Sequence, residues 1–143
     1  MINAYYLYKM SNVLFNWNVP IIPKILKGFI FIIYNSSIPY QCVIGENTFF
    51  GYGGIGVVIH KRTIIGKNCM IGANVTIGGK SGKKEVPSIG NNVSISTGAK
   101  ILGPIKIGNN VIIGANSVVL NDIPDNSVVV GIPAKIIKKL NES

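Results

Sequence analysis

The stretch from Ile59 to Thr76 reads IHKRTI-IGKNCM-IGANVT, three units of six residues that each open on isoleucine. An amphipathic α-helix does not keep a strict period of six, because the apolar residues on one face of a helix recur every three to four positions. A hexapeptide β-helix does keep it, since each short strand forms one side of a three-sided coil. The stretch therefore predicts one coil of a β-helix.

The same six-residue period runs through most of the chain. Its units open on Ile44, Phe50, Ile59, Ile65, Ile71, Ile77, Ile89, Ile95, Ile101, Ile107, Ile113 and Val119. Glycine commonly follows the opening residue, and asparagine recurs three places after it, as in Gly66 and Asn68. Because these residue types most easily adopt positive φ, the repeat predicts a turn every six residues. The predicted fold class is mainly β, a parallel β-helix of hexapeptide repeats preceded by a short α-helical segment.

Two segments interrupt the period. FGYGGIGVV, from Phe50 to Val58, has nine residues where six are expected, so three extra residues precede His60. The segment from Gly79 to Ser88 does not fit the repeat, and we expect it to form an extruded loop. Long irregular segments within a regular scaffold are usually functional, so both interruptions point to this part of the chain.

The composition limits the classes of partner. The 143 residues carry a net charge of +9, which favours anionic partners such as nucleic acid, a membrane surface, an acidic polymer or a phosphorylated ligand, or serves only solubility. We expect no nucleic-acid binding, since no aromatic and basic platform or groove-reading helix accompanies the charge. With only Cys42 and Cys69, a disulfide framework is not expected, and Cys69 occupies an inward position that predicts packing.

The N-terminal region differs from the rest of the chain. We expect residues 1–40 to form a helical cap broken at Pro20 and Pro23, residues 41–139 to form the β-helix with its loop at 79–88, and residues 140–143 to form a tail. The alternative role for these basic, aromatic-rich helices is contact with a membrane or a lipid-linked substrate. No secretory signal is recognisable, and the apolar segment 19–34 is too short and broken to span a bilayer, so a cytoplasmic location is predicted.

Several motifs resemble a known family. GGKSG at 78–82, STGAKILGPIKIG at 96–108 and NDIPDNSVVVGIPAKII at 121–137 look like the hexapeptide-repeat acyltransferases, in particular the serine acetyltransferase-like branch that includes sugar and polysaccharide O-acetyltransferases. The resemblance covers about residues 36–139. It implies a left-handed β-helix, a homotrimer with active sites between subunits, and acetyl-CoA as the acyl donor.

Acetyl transfer from a thioester to an alcohol needs a base for the hydroxyl proton and donors for the tetrahedral oxyanion. His60 is the only histidine in the chain, and histidine is the natural base near neutral pH. It also stands where the repeat otherwise has glycine, which favours a functional role over a surface one. We therefore predict that His60 is the catalytic base, with only Glu46 and Glu85 near enough in sequence to orient it.

The chain departs from the serine acetyltransferases of this family. Those enzymes have two characteristic histidines, and Gly53 and Val86 occupy the corresponding positions here. His60 resembles instead the histidine in the GVVIH segment of polysaccharide-type relatives. The predicted function is therefore acetyl-CoA-dependent O-acetylation of a sugar or cell-surface polysaccharide precursor. The alternatives are serine O-acetylation for cysteine biosynthesis and a non-catalytic β-helix binding module.

The family pattern also implies a coenzyme A site, with Gly78 and Gly79 beside the pantetheine arm, Thr97 and Ala115 in the groove, and Lys135 near the phosphates. Thr97 and Ala115 also fit ordinary repeat packing, and the loop lysines Lys80, Lys83 and Lys84 fit either phosphate contacts or a solvated surface. Coils about 4.8 Å apart would place Ala115 about 14 Å from His60, within reach of that arm. No metal is expected, since a γ-class carbonic anhydrase, which shares this fold, needs three histidines on zinc.

Overall fold

The computed structural model describes residues 2–140, so residues 141–143 of the predicted tail lie outside the described residues. Two helices, α1 (Ala4–Asn16) and α2 (Ile22–Tyr34), precede an all-β region. Its strands are β1 (Val43–Ile44), β2 (Phe49–Phe50), β3 (Val58–Ile59), β4 (Ile64–Ile65), β5 (Met70–Ile71), β6 (Thr76–Gly78), β7 (Ser88–Ile89), β8 (Ser94–Ile95), β9 (Lys100–Leu102), β10 (Lys106–Ile107), β11 (Ile112–Ile113), β12 (Val118–Val119), β13 (Ser127–Gly131) and β14 (Ala134–Lys139).

Three sheets, parallel except for the antiparallel pair β13 and β14, form the sides of a prism. Sheet 1 has the order β1-β4-β7-β10, sheet 2 has β2-β5-β8-β11-β13-β14, and sheet 3 has β3-β6-β9-β12. In the first coils, each strand pairs with the strand three places later in the chain. For example, β3 pairs with β6, and Val58 lies opposite Thr76. The prediction of a left-handed parallel β-helix is confirmed.

The core of the prism consists of the residues that open the hexapeptide units. All twelve are buried, with 3% or less of their surface exposed. The residue before each opener points outward, as in Val43 and Ile64. Buried and exposed residues therefore alternate, as they do in a strand with one face in the core and the other in solvent. Burial of one large aliphatic side chain stabilises the fold by about 1.5–3 kcal/mol.

Glycine and asparagine have separate roles in the turns, which corrects the expectation that both supply positive φ. Asn47, Asn68, Asn74, Asn92, Asn110 and Asn116 adopt φ between 55° and 57°. The glycines that follow the openers do not have positive φ. Glycine is required there by close approach instead: a Cβ on Gly45 would lie 2.6 Å from the Gly66 carbonyl carbon, and one on Gly72 would lie 2.6 Å from the Thr97 nitrogen.

The two interruptions are local. A short 3₁₀ helix at Gly51–Gly54 contains the extra residues before β3, and a Cβ on Gly54 would lie 2.9 Å from the Ala4 Cβ of α1. This bulge therefore packs against the helices, and Tyr52 is its exposed tip. The loop after β6 spans residues 79–87, because β7 begins at Ser88.

The helices lie against the first coil of the prism. The Tyr8 hydroxyl donates to the Cys42 carbonyl at 2.6 Å and accepts from the Ile44 N–H at 3.1 Å. The side chains of Asn3 and Asn12 donate to the carbonyls of Phe50 and Tyr40. Side chains of α1 thus satisfy backbone groups at the end of the β-helix, where no further coil supplies partners. Neither helix is long and apolar enough to cross a membrane, and no other helix among residues 2–140 is.

Candidate active site

One of the three corners of the prism lacks the turn pattern of the other two. We call it the open corner; it follows the strands of sheet 3 and comprises residues 60–63, 79–87, 103–105 and 120–123. The residues that follow the openers of these strands are His60, Gly78, Leu102 and Leu120. Asparagine is also missing three places after the openers, where Arg62, Lys80, Pro104 and Asp122 stand instead.

This arrangement corrects one argument for His60. The sequence suggests that His60 occupies a position built for glycine, but in its own column two of the four residues are leucines. The column tolerates side chains because the chain is not crowded there: a Cβ on Gly78 would make only an ordinary 3.5 Å contact with Leu102 Cδ2. The position of His60 in the hexapeptide repeat therefore gives no evidence for its function, whereas the residues around it do.

A groove of about 880 Å³ runs along the open corner. Its walls are Gly79, Lys80 and Lys83 of the loop, the segment 102–105 after β9, and the segment 120–122 after β12. Apolar side chains and backbone line it together with the polar residues Lys80, Lys83, Asn121 and Asp122. Its volume is in the range of pockets that hold small ligands. The groove spans the last three coils of sheet 3, about 10–15 Å at the usual strand spacing.

His60 does not line this groove itself but lies beside Gly79, which does. His60 is half-buried, its backbone N–H donates to the Ile77 carbonyl at 2.9 Å, and its ring Cδ2 would be 4.0 Å from a Cβ on Gly79. The same Cβ would be 3.3 Å from Val86 Cγ1. The absence of a side chain at Gly79 therefore leaves free space between His60, the loop and the groove.

The imidazole has a backbone partner. The Arg62 N–H donates to His60 Nδ1 at 3.1 Å, so the neutral ring carries its proton on Nε2. For Nε2 to accept a proton, the ring must take the other tautomer and exchange this hydrogen bond. Among residues 2–140, His60 has no carboxylate partner, and neither Glu46 nor Glu85 orients it.

Burial and charge both keep His60 neutral. Desolvation lowers the pKa of His60 below its ordinary value of 6.5, and the positive charges of Arg62 and Lys61 lower it further. A neutral imidazole at pH 7 is the form able to accept a proton.

Cations connect the loop to the coil of His60. The Arg62 guanidinium donates to the Lys84 carbonyl and so links the loop at 79–87 to the coil that contains His60. The loop also approaches the next coil, where a Cβ on Gly103 would lie 4.0 Å from Lys80 Cβ. Gly103 has φ of 100°, a conformation that residues with side chains avoid.

The structure separates the residues predicted to bind the cofactor. His60, Gly78 and Gly79 lie together at the open corner. Thr97 and Ala115 are exposed at the opposite edge of sheet 3, where the Asn116 N–H donates to the Thr97 carbonyl at 3.0 Å. Lys135 is exposed on β14, paired with Val130 at the end of sheet 2. Within one chain, these three residues do not meet the groove.

Sequence reasoning missed most of the groove lining. Leu102, Gly103, Leu120 and Asp122 were not predicted, although the sequence contains a signal for them. Every third unit has neither asparagine nor glycine three places after its opener, and these are the units that enter the open corner.

Asp122 does not offer a free carboxylate, since its Oδ1 accepts from the Lys106 N–H at 2.8 Å. In residues 2–140, no three histidine, cysteine or acidic side chains lie close enough to hold a metal ion. Both cysteines are buried free thiols, and burial raises the pKa of Cys42 to about 12.

Comparison with known proteins places the chain among hexapeptide-repeat transferases. The family "Bacterial transferase hexapeptide (six repeats)" matches residues 87–121, and "Hexapeptide repeat of succinyl-transferase" matches residues 62–82. Serine acetyltransferase of Synechococcus elongatus is 39% identical over 133 residues, which are 91% of this chain and 54% of that protein. Serine acetyltransferase of Staphylococcus aureus is 46% identical over 98 residues, 67% of this chain and 46% of that protein.

Solved structures of serine acetyltransferases are also similar to this chain. Serine acetyltransferase of Brucella abortus in complex with coenzyme A superposes with a TM-score of 0.91 and 29% identity, over 98% of this chain and 56% of that one. The soybean serine acetyltransferase apoenzyme gives a TM-score of 0.86 and 34% identity, over 94% and 56% of the two chains. The chain spans about half the length of the curated relatives it matches.

Proposed function

Because the chain belongs to the hexapeptide-repeat acyltransferase family, we propose that it is an acetyl-CoA-dependent O-acetyltransferase. The observation that carries the proposal is the groove at the open corner, which lies between a lysine-bearing loop and the edge of the β-helix and includes Gly79, the neighbour of the neutral His60. The similarity to a serine acetyltransferase solved with coenzyme A supports the same conclusion.

His60 is proposed as the base. The acceptor hydroxyl gives its proton to Nε2 while its oxygen attacks the thioester carbonyl carbon. The tetrahedral intermediate then breaks its carbon–sulfur bond, and the thiolate of coenzyme A leaves with the proton that His60 returns. Proton acceptance requires the tautomer with hydrogen on Nδ1, so the Arg62 N–H bond to Nδ1 opens as the acceptor binds. Hydrogen bonds of catalytic groups commonly rearrange in this way when substrate arrives.

The groove suits the donor molecule. The Gly79 backbone, which has no side chain, leaves room for a narrow pantetheine arm beside His60, and Gly103 leaves room on the next coil. Lys80 and Lys83 line the same groove and match the negative charge of the phosphates. We therefore propose Gly78 and Gly79 as part of the donor site, with Gly79 lining the groove and Gly78 directly before it.

The remaining cofactor residues require a second copy of the chain. Thr97 and Ala115 lie at the far edge of sheet 3, and Lys135 lies on sheet 2. We infer that a homotrimer brings these surfaces against the open corner of a neighbouring subunit. Their exposure and their distance from the groove of their own chain support this assembly. Analytical ultracentrifugation tests it, and a monomer at assay concentration would contradict it.

Serine is the acceptor that the relatives favour. The motifs around His60 predict a sugar hydroxyl as the acceptor. The relatives described above, however, are serine acetyltransferases, so serine agrees better with the comparisons. The sugar acceptor stays as a second candidate for one structural reason. The charged side chains that act on His60 are the cations Lys61 and Arg62. They suit the carboxylate of serine, but its ammonium group needs an acidic side chain, and none in residues 2–140 acts on His60.

Acetyl transfer assays decide between the acceptors. We expect the chain to release free thiol from acetyl-CoA in the presence of L-serine, with a higher kcat/KM than with simple hexoses or uronic acids. A higher kcat/KM with a sugar would reverse the order of the two acceptors. Absence of coenzyme A binding in calorimetry, together with no turnover of any acceptor, would overturn the enzyme proposal and favour a non-catalytic β-helix.

A further inference from the structure

The two N-terminal helices have an apolar face that none of the described residues 2–140 covers. In α2, the stripe Pro23, Ile30 and Tyr34 is buried. A second stripe on another face of the same helix consists of exposed apolar side chains. Its members are Ile22, Ile25, Phe29, Ile32 and Ile33. Phe29 is 50% exposed and Ile32 is 78% exposed, values unusual for adjacent large apolar residues.

Helix α1 extends this face. Its side toward the prism is fixed by Tyr8 and Asn12, which hydrogen-bond to the backbone of the first coil. Tyr6 and Met10 lie roughly 160–200° around the helix from Tyr8 at 100° per residue, and both are exposed. Trp17, directly after the helix, is 72% exposed. We call the exposed residues of both helices, Tyr6, Met10, Trp17, Ile22, Ile25, Phe29, Ile32 and Ile33, the helix face.

The charged side chains of the two helices are all lysines, and the acidic Glu46 of the first coil lies near Tyr5. Residues 2–45 contain Lys9, Lys24 and Lys27 and no acidic side chain, and the chain as a whole carries a charge of +9. Lys24 and Lys27 lie roughly opposite the exposed stripe, on a side of α2 that also carries the exposed Phe31. A helix with lysines on one face and large apolar and aromatic residues on the other is typical of segments that lie in the plane of a membrane interface.

Charge favours an anionic membrane over a second copy of the chain as the partner of the helix face. Self-association through the helix face would bring the lysines of two copies together, and the helices contain no carboxylate to pair with them, whereas the homotrimer inferred above uses surfaces of the prism. An anionic bilayer supplies both an apolar layer for the exposed stripe and negative charge within a Debye length of the lysines. Tyr6 and Trp17 are residue types that favour the headgroup region.

We propose that the helix face binds peripherally to the surface of an anionic lipid bilayer. This goes beyond the proposed acetyl transfer and places His60 close to the membrane. The Ile59 N–H donates to the Ser37 carbonyl at 2.9 Å, so His60 belongs to the coil directly next to the helical segment. The groove then extends away from the bilayer, and an acceptor held at a membrane surface would enter from the membrane side.

Co-sedimentation of the full chain with vesicles tests the proposal. We expect binding to vesicles of 70% phosphatidylcholine and 30% phosphatidylglycerol to be at least tenfold stronger than to pure phosphatidylcholine, and to weaken as salt is raised. The double variant Phe29→Ser/Ile32→Ser should bind the anionic vesicles at least tenfold more weakly, because two large side chains no longer enter the apolar layer. The matched control Ile64→Ser/Ile137→Ser removes two exposed isoleucines from the prism and should bind like the parent.

Three outcomes would overturn the proposal. The first is no binding of the parent chain to anionic vesicles at low salt, and the second is equal binding of the parent and the helix-face variant. The third is a lower molar mass of Phe29→Ser/Ile32→Ser in light scattering, which would identify a second copy as the occupant. Circular dichroism of both double variants and acetyl transfer without vesicles show whether the fold is retained, independently of membrane binding.

Discussion

The closed corners of the prism and its open corner are built from the same repeat but obey different constraints. At the closed corners, coils approach so closely that glycine is needed after the opener, and asparagine provides the left-handed turn residue. At the open corner, the same positions hold His60, Leu102 and Leu120, and the turns are irregular. The difference shows that a repeat scaffold makes room for a ligand by relaxing its turns at one corner while keeping the buried openers unchanged.

The largest effect should be on activity, at the open corner. Replacing His60 by Gln removes the proposed base but keeps a side chain that can donate a hydrogen bond, and we expect kcat to fall by about 10²–10⁴-fold. Urea denaturation should show little change in stability, because His60 is half-buried at an uncrowded position. The control is Lys67→Gln, an exposed residue at a closed corner, which should leave kcat unchanged. Turnover of His60→Gln within a few-fold of the parent would contradict the assignment.

Glycine substitutions compare the corners directly. Gly72→Ala at a closed corner should lower the free energy of unfolding by about 3 kcal/mol, because its Cβ would lie 2.6 Å from a backbone nitrogen. Gly78→Ala at the open corner should change it by less than about 1 kcal/mol, since its Cβ would make only ordinary contacts. Urea denaturation at equal protein concentration measures both. Equal destabilisation would show that the corners do not differ in packing.

A smaller effect concerns the buried side chain below the open corner. Thr63 is fully buried, and its hydroxyl has no hydrogen-bond partner within residues 2–140. Its counterparts in other units include Val75, Val93 and Val111, so Thr63→Val should raise the free energy of unfolding by about 1 kcal/mol. Val93→Thr, the reverse change, serves as the comparison and should destabilise. A stability loss in Thr63→Val would indicate that the hydroxyl has a partner in solution.

The smallest expected effect is a shift in pH dependence. Below its pKa, His60 is protonated and unable to accept a proton, so kcat/KM should fall on the acid side with a midpoint below 6.5, because burial and the neighbouring cations lower the pKa. Arg62→Gln removes one of these cations and should move the midpoint upward. Lys61→Gln should move it in the same direction by less, and Lys106→Gln, a cation on sheet 1, should leave it unchanged. An upward shift in Lys106→Gln alone would contradict this account.

The sequence predicted the scaffold more completely than the site. The six-residue period located all twelve buried openers, and the breaks in the period located the bulge and the loop. The bulge, however, packs against α1 through Gly54 and Ala4 instead of forming part of the groove. Sequence separation could not show this, because the contact joins residues fifty positions apart.

The sequence by itself determined the β-helix, since the alternation of buried opener and outward neighbour is a local property of strands with one dry face. It also identified His60 as the one histidine, and its motifs identified the acyltransferase family. Only the tertiary structure decided which glycines are required by close approach, which corner stays open, and that Thr97 and Ala115 lie on the far edge from His60. Those features depend on which coils stack on one another, and stacking is set by the register between strands separated by about 18–24 residues.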